Sequence, residues 1–398
     1  MKKPKILIIG DAVSNTGFAR VIYEIFKPLV EQYELVQLGT NFFGDPHDWP
    51  WKIFPAAVGG YDTGENRLAE LIKDLNPNLI FMLQDPWVLV KYFEVLKSFP
   101  LIPTIVYASF NSEDIDLVLP QRLKTATRLA VYTEFAKSAY LEAHVKGNAG
   151  DTPEILVIPH GVDAEVFYPL TKDRAVARKK ARHIIFPSEN TAVQDGFIVL
   201  NANRNQPRKR IDLTMEGFAL FAEDKPQNVF LHLHMGMNDI GWNIKLLAER
   251  YNISDRLIFS TDSDQPPRVN LTTLNHIFNA ANIGINTASS EGWGLLSFEQ
   301  AAAGLAQMVP NHTSGHELWG DCAWLMPYTL RLVNPYSNIN EYIVKPETIA
   351  EYLEEAWANP EKLQEKEKLC FRNATHIKYH WQEISKQWEI IFATAINS

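Results

Sequence analysis

Short, unbroken apolar runs recur along this chain, each closed by a glycine-bearing or polar turn and followed by a stretch with helical spacing. Runs without alternating polar residues belong to strands buried on both faces of a parallel sheet, and parallel strands need crossover helices between them. The pattern opens with KILIIG, after Met1, Lys2, Lys3 and Pro4, and its helix GFARVIYEIFKPLVEQ. It continues through ELVQLG from Glu34, LIFML from Leu79, TIVYAS from Thr104, RLAVYT from Arg128 and EILVIP from Glu154. Such alternation predicts a doubly wound α/β sheet that takes its ligands at the carboxyl ends of the strands. The first run is too short to cross a bilayer and lacks a small-residue cleavage signature, so it reads as a strand and not a signal.

Between residues 171 and 196 the periodicity stops, and TKDRAVARKKARHIIFPSENTAVQD reads as a polar, basic connection whose charges face solvent. Beyond it the first pattern repeats in FIVLNAN from Phe197, NVFLHLHM from Asn228, RLIFST from Arg256, IGINTA from Ile283 and AQMVP from Ala306. Two similar Rossmann-like domains are therefore expected, 1–175 and 176–377, in keeping with a length of 398 residues. The remainder, through YHWQEISKQWEIIF, is helical, and Trp381 and Trp388 fall seven residues apart on one face of its last helix.

Composition narrows the function. Hydrophobic residues at 46% and charged ones at 21% are those of an ordinary folded protein. A net charge of −9 argues against a chain that coats itself in nucleic acid or anionic lipid, leaving at most peripheral membrane contact. The basic run Lys172, Arg174, Arg178, Lys179, Lys180 and Arg182 reads as a solvated face before it reads as an anionic contact. Two cysteines, Cys322 and Cys370, are too few for a disulfide framework or a four-cysteine zinc site, and point to a reducing cytoplasm.

Two segments carry chemistry. In SSEGWGLLSFEQAAAG, from Ser289, a strand ends in a glycine-rich loop and a helix begins near Leu295. Amides of a first helical turn face outward as an anion site, and Glu291 on the loop and Glu299 on the helix add carboxylates that accept from hydroxyls. A sugar diphosphate suits that pairing; a solvated loop glutamate and a surface helix glutamate are the plain alternative. In NANRNQPRKRIDLTMEGFALF, from Asn201, a strand runs into a loop bearing Arg204, Arg208, Lys209 and Arg210. Arginine offers a planar fork and lysine a mobile point charge, a pair able to neutralise a departing diphosphate. A solvated charged loop is again the alternative.

EGWGLLSFEQAAAG resembles the retaining GT-B glycosyltransferases (glycosyltransferase family 4-like, glycosyl transferases group 1), whose hallmark is two glutamates with seven residues between them around a Gly-aromatic-Gly turn. The resemblance spans most of the chain, is strongest in the second domain and weakest over residues 40–75 and 171–196. It implies two Rossmann-like domains facing one another across a cleft, with the last helix, 378–398, crossing back onto the first. It implies a hexosyl- or pentosyltransferase that moves a sugar from a nucleoside-diphosphate sugar to a hydroxyl acceptor with retention, needing neither prosthetic group nor metal. Glu291 would contact the transferred sugar and Glu299 the ribose, with Arg204 and Lys209, at the family's five-residue spacing, on the diphosphate. Gly292, Trp293, Gly294, Leu295 and Leu296 would complete the donor site, and Arg208 and Arg210 are left at the surface.

Weaker likenesses accompany these. IPHGVDAEVFYP, from Ile158, resembles the family's interdomain marker with His160 in place of the commoner Asn, and places His160 and Gly161 at the cleft. GDAVSNTGFARV resembles its glycine-rich N-terminal loop without a Gly-Gly pair, and Gly17 is the position where a Cβ would obstruct close backbone approach. HTSGHELWG, from His312, resembles the loop that carries a further glutamate, here Glu317. The histidine that many relatives place after the fourth or fifth strand is missing, with Tyr107, Ser109, Phe110 and Asn111 in its neighbourhood, so nothing is assigned to activate the acceptor. Aspartates 262 and 264, and 114 and 116, mimic a DxD metal motif at chance level, and His232, His234, His312 and His316 lack a completed ligand set. Trp49, Trp51 and Trp87 offer an aromatic platform or simple core packing. An epimerase, a phosphorylase or a non-catalytic nucleotide-sugar-binding subunit shares the fold, and glycan, lipid, small molecule, protein and modified base remain open as acceptor.

Overall fold

The computed structural model describes residues 2–60, 62–187, 190–335 and 337–397. Met1, residues 188 and 189 of the expected connection, and Ser398 of the last helix lie outside them. The chain divides into two compact units, residues 1–161 with 377–398, and residues 162–376.

The first unit holds a sheet of seven strands: β1 (Lys5–Asp11), β2 (Glu34–Thr40), β3 (Lys52–Pro55), β4 (Leu79–Gln84), β5 (Thr104–Ala108), β6 (Arg128–Val131) and β7 (Glu154–Val157). Their order is β3-β2-β1-β4-β5-β6-β7, every pairing is parallel, and the winding reverses between β1 and β4. The middle strands are buried on both faces, which is why they read as continuous apolar runs. The helix Gly17–Phe26 starts where the Thr16 hydroxyl accepts from the Ala19 amide at 3.2 Å.

The last helix, Trp381–Asn397, belongs to this unit. The Trp388 ring meets Phe81 edge-on at 5.2 Å, Phe392 stacks on Phe26 at 5.3 Å, and the Ser385 hydroxyl donates to the Ile25 carbonyl at 2.8 Å. The Trp381 ring lies so close to Gly161 that a Cβ there would come within 2.6 Å of it. Trp51 is buried and its indole N–H donates to Gln37 Oε1 at 2.9 Å, with Trp49 and Tyr23 packed around it. Trp51 is core, Trp49 is half-buried beside it, and Trp87 is open, at 65% exposure.

The second unit holds six parallel strands: β8 (Phe197–Asn201), β9 (Val229–Leu233), β10 (Leu257–Phe259), β11 (Ile283–Ile285), β12 (Ala306–Pro310) and β13 (Trp324–Met326). Their order is β10-β9-β8-β11-β12-β13, with the reversal between β8 and β11. A separate antiparallel hairpin of β14 (Tyr328–Val333) and β15 (Asn340–Val344) follows. Its base is tied to the loop after β11, where the Tyr342 amide donates to the Ser289 carbonyl at 2.8 Å.

The stretch expected as a solvated connection folds instead. Residues Arg174–Ile185 form a helix capped by the Asp173 carboxylate, which accepts from the Ala175 amide at 2.8 Å. Arg182 is buried, with its guanidinium donating to the carbonyls of Ala280 (2.8 Å) and Gly196 (2.8 Å) and to Asn282 Oδ1 (2.7 Å). Arg174 and Arg178 turn to the buried carboxylate of Glu367. These cations are the packing face of the helix, because each guanidinium finds acceptors beneath it. Among the described residues no helix is long and apolar enough to cross a membrane.

Candidate functional site

Neighbouring strands β8 and β11 flank the reversal of the second sheet, the place where doubly wound sheets open toward ligands. The loops that follow them interlock. After β8, Pro207–Lys209 make one 3-10 turn, ended by Arg210 in the left-handed conformation (φ 48°). A buried relay fixes its backbone: the Asn201 amide donates to the Thr214 hydroxyl at 2.9 Å, and Thr214 and Thr287 share a hydrogen bond of 2.7 Å. With Thr214 already accepting, its proton goes to Thr287. Thr287 then donates to the carbonyls of Lys209 (3.0 Å) and Arg210 (2.9 Å). The Ser289 amide takes the Arg208 carbonyl at 2.8 Å. Three successive carbonyls of one loop are thus held from the other.

That grip aims the side chains. The buried Lys209 ammonium forms an ion pair with Glu291 Oε2. Arg208 Nη1 donates to the Ser290 carbonyl at 2.7 Å and stands 3.4 Å from Glu291 Oε1, and the Asn286 amide reaches Glu291 Oε2 at 3.4 Å. The Glu291 backbone is clamped from the loop after β12, where the hydroxyls of Thr313 and Ser314 donate to its carbonyl at 2.9 and 2.8 Å. Burial alone would raise the Glu291 carboxyl, but the ammonium and guanidinium beside it outweigh that and hold it at about 2. The carboxylate is therefore ionised at any physiological pH.

The helix Leu295–Ala302 begins directly beyond, with Gly294 as its N-cap at φ 83°, a conformation that favours glycine, and no side chain capping its first turn. Its amides open beside a recess lined by Asn286, Glu291, Gly294, Ser297, His312 and Gly315. Two cations, one carboxylate and a helix N-terminus converge there. The amides and cations suit an anion, and the carboxylate suits a hydroxyl.

No family model matches the chain. A D-inositol 3-phosphate glycosyltransferase of Streptomyces coelicolor is 29% identical over 174 residues, a stretch that spans 40% of this chain and only 36% of that protein. Whole-chain likeness comes from solved structures. Sucrose-phosphate synthase from Thermosynechococcus elongatus superposes with a TM-score of 0.71 at 16% identity, covering 99% of both chains. The Anabaena protein HepE, solved in complex with UDP and glucose, superposes with a TM-score of 0.71 at 15% identity, covering 98% of this chain and 100% of that one. This is the GT-B glycosyltransferase fold.

Within this GT-B chain the expected residues separate into groups. Lys209 and Glu291 are brought together as one ion pair. Arg204 is not part of it: its guanidinium lies on Asp239, 2.7 Å from Nε to Oδ2 and 3.0 Å from Nη2 to Oδ1. Glu299 sits on the Leu295–Ala302 helix at 2% exposure, so a surface helix residue is not what it is. Leu295 and Leu296 open that helix. Gly292 is buried in the loop before it. Trp293 is buried with its ring stacked on Phe298 at 4.9 Å, and it also lines the recess beside Glu291.

Arg208 is the reverse correction, assigned to the surface from sequence and found against Glu291. Arg210 turns away to Asp212, 2.6 Å from Nη2 to Oδ2. Asn286, Thr313 and Ser314 were not foreseen either; the usable signal was that HTSG follows a strand adjacent to the one that ends at Glu291. Glu317 is exposed on the short helix Gly315–Trp319.

In the first GT-B unit, Gly17 is an exposed first residue of its helix with no left-handed requirement. His160 is corrected from cleft lining to packing: at 3% exposure it is enclosed by Tyr107, Tyr132 and Trp381. Tyr107 donates its single proton to the Ile158 carbonyl at 2.7 Å, so His160 Nδ1–H donates to the Tyr107 oxygen at 2.9 Å. Burial holds that imidazole neutral, down at about 3. In the second unit His232 and His234 both bond the Ser260 hydroxyl, at 2.8 and 2.7 Å. Asp264 accepts from the Asn238 amide.

Proposed function

We propose that this chain is a retaining glycosyltransferase that moves a sugar from a nucleoside-diphosphate sugar to a hydroxyl acceptor. The observation that carries the reading is the ion pair of Lys209 with Glu291, doubled by Arg208, at the uncapped N-terminus of the Leu295–Ala302 helix. A diphosphate seated on the helix amides meets Lys209 and Arg204 as its charge develops, and a cation with a helix N-terminus stabilises that charge far better than water does. Glu291, ionised and fixed through its backbone, then accepts from a sugar hydroxyl, and Glu299 takes the ribose. The reacting carbon passes through an oxocarbenium-like state, the departing phosphate oxygen helps to deprotonate the acceptor, and attack on the same face retains configuration. Cationic side chains here take the part that a divalent ion takes in DxD enzymes. The Streptomyces protein is a D-inositol 3-phosphate glycosyltransferase, the Thermosynechococcus one a sucrose-phosphate synthase, and the Anabaena neighbour was solved with UDP and glucose. We place the activity in a reducing cytoplasm, which the two cysteines favour.

The test is a panel of UDP-, GDP-, ADP- and TDP-sugars, each with and without EDTA, on wild type, Glu291→Ala and Lys209→Ala. One donor should raise the melting temperature and be slowly hydrolysed in EDTA, with both variants losing this. Failure of every donor to bind wild type, or turnover only with a divalent ion, overturns the reading.

A further inference from the structure

Asp239 stands on the loop after β9 in a left-handed conformation (φ 41°), which aspartate tolerates better than most residues. The loop is held largely by Asn205, a fully buried residue on the loop after β8 and the chain neighbour of Arg204. The Asn205 amide nitrogen lies 2.7 Å from the Trp242 carbonyl, 3.1 Å from that of Gly236 and 3.1 Å from that of Asn238, while its oxygen accepts from the Trp242 amide at 3.0 Å. Approach is so close that a Cβ on Gly241 would fall 2.2 Å from Asn205 Oδ1. From the other side the Asp239 amide donates to the Asp264 carbonyl at 2.9 Å. One side chain therefore fixes the backbone carrying Asp239 against the backbone carrying Arg204.

The ion pair between them is lopsided. The Arg204 side chain is 51% exposed and the Asp239 side chain 3%. The carboxylate lies beneath and takes Nε and Nη2. Of the five guanidinium N–H groups this leaves both on Nη1 and one on Nη2, which is the end-on fork that grips a phosphate. An arginine not held in advance loses rotamer freedom when a ligand immobilises it.

We infer that Asp239 is a positioning residue that pre-sets Arg204 with its outward fork toward the diphosphate of the donor, and that Asn205 locks Asp239 in place to do so. The inference rests on the assignment of Arg204 to the diphosphate made above. Without Asp239 the guanidinium keeps its charge and loses its aim.

Affinities of the full-length chain for inorganic pyrophosphate and for UDP, GDP, ADP and TDP, measured by calorimetry, test this on Arg204→Ala, Asp239→Asn and the double variant. Asp239→Asn should weaken binding about tenfold, and in an Arg204→Ala background it should weaken it no further. A merely structural aspartate would add its loss in both backgrounds. Equal or tighter binding by Asp239→Asn would show a competing anion and overturn the inference, as would an additive double variant or an Arg204→Ala that binds like wild type. Should Asp239→Asn fail to fold, Arg204→Lys keeps the charge without the fork: binding within about threefold of Arg204→Ala supports the inference, and wild-type binding overturns it. If wild type binds none of the probes, the donor reading itself has failed; if wild type binds and only these comparisons fail, the positioning role alone is lost.

Discussion

At the carboxyl end of β1 in the first unit stands Asp11, and beyond the carboxyl end of β8, its counterpart in the second, stands the turn that carries Lys209. Both places adjoin the reversal of a parallel sheet. Asp11 is buried and met by neutral donors from its own strand ends: the hydroxyls of Thr16 and Thr40, each at 2.6 Å, and the Asn41 amide at 3.0 Å. Glu291 is met by Lys209 and Arg208, so the cluster keeps one positive charge in excess. Neutral donors satisfy a carboxylate and leave nothing over, whereas surplus cations remain to be claimed by an incoming anion. One sheet architecture thus holds a carboxylate among neutral donors in the first case and among surplus cations in the second.

The sharpest break of this comparison is kinetic. Removing the ammonium in Lys209→Ala should lower donor turnover by roughly 10²–10³-fold, the usual consequence of losing one preorganised charge-stabilising group. Single-turnover donor cleavage reads it out. A loss below about fivefold would leave the surplus charge without a catalytic part.

Acid tests the Glu291 pair next. The Glu291 carboxyl is depressed from an ordinary 4.5 to about 2. A depressed acid contributes stability that is complete above its unfolded value and is lost as pH falls through the folded one, here between about 4.5 and 2. The loss should reach about 3 kcal/mol, visible as a falling denaturant midpoint at pH 4, 3 and 2.5. In Lys209→Met, with the ammonium gone, this part of the acid sensitivity should shrink. An unchanged profile would mean that the pair does not hold the carboxyl down.

Asp11→Ala approaches from the other side. It strands the Thr16 and Thr40 hydroxyls and the Asn41 amide, and leaving buried donors unmade costs about 1–3 kcal/mol. Stability should fall by that amount in denaturant melts while nucleotide affinity stays within about twofold of wild type. A large affinity loss would erase the distinction between the two strand ends.

What could be read in advance follows from which forces leave a linear signature. Strands buried on both faces appear as apolar runs, so β1, β4, β5, β8 and β9 were legible. Strands β3, KIFP, and β13, WLM, were passed over, the first opening on an exposed lysine and closing on a proline. The helix Arg174–Ile185 was hidden because its inward face is built of arginines at 174, 178 and 182, four residues apart, and a search for apolar periodicity passes over guanidinium groups that have acceptors waiting in distant segments. At the site, Glu291 and Lys209 were singled out by spacing and resemblance, and the structure brings them together. Arg208 was not, because the direction of a side chain in Pro207–Lys209 depends on the 3-10 turn, and that turn is set by Thr287 and Ser289 some 80 residues away. Trp293 shows what a motif leaves out: the stack of its ring on Phe298, five residues later, is a packing contact that the Gly-aromatic-Gly pattern does not announce.

The smallest expected effect is at Gly17, and it is informative because two arguments oppose one another there. Read as part of a glycine-rich loop, Gly17 is needed for a backbone to approach phosphate, and any Cβ should obstruct it. Its place in the fold says otherwise: it is exposed, opens the Gly17–Phe26 helix and is absent from the left-handed glycines, while the N-cap is supplied by Thr16. Alanine at such a position restricts the unfolded chain without straining the folded one, so Gly17→Ala should raise stability by about 0.5 kcal/mol. Thr16 is also the residue that donates to Asp11, so the loop is already anchored on the neutral side of the comparison. Turnover within about twofold of wild type, alongside the small rise in melting temperature, would keep donor phosphate chemistry with Lys209 and Arg208 in the second unit. A tenfold loss of turnover in a variant that folds as well as wild type would show that the first unit also supplies backbone to the phosphate, and that the contrast between its strand ends and those of the second unit stops at side-chain charge.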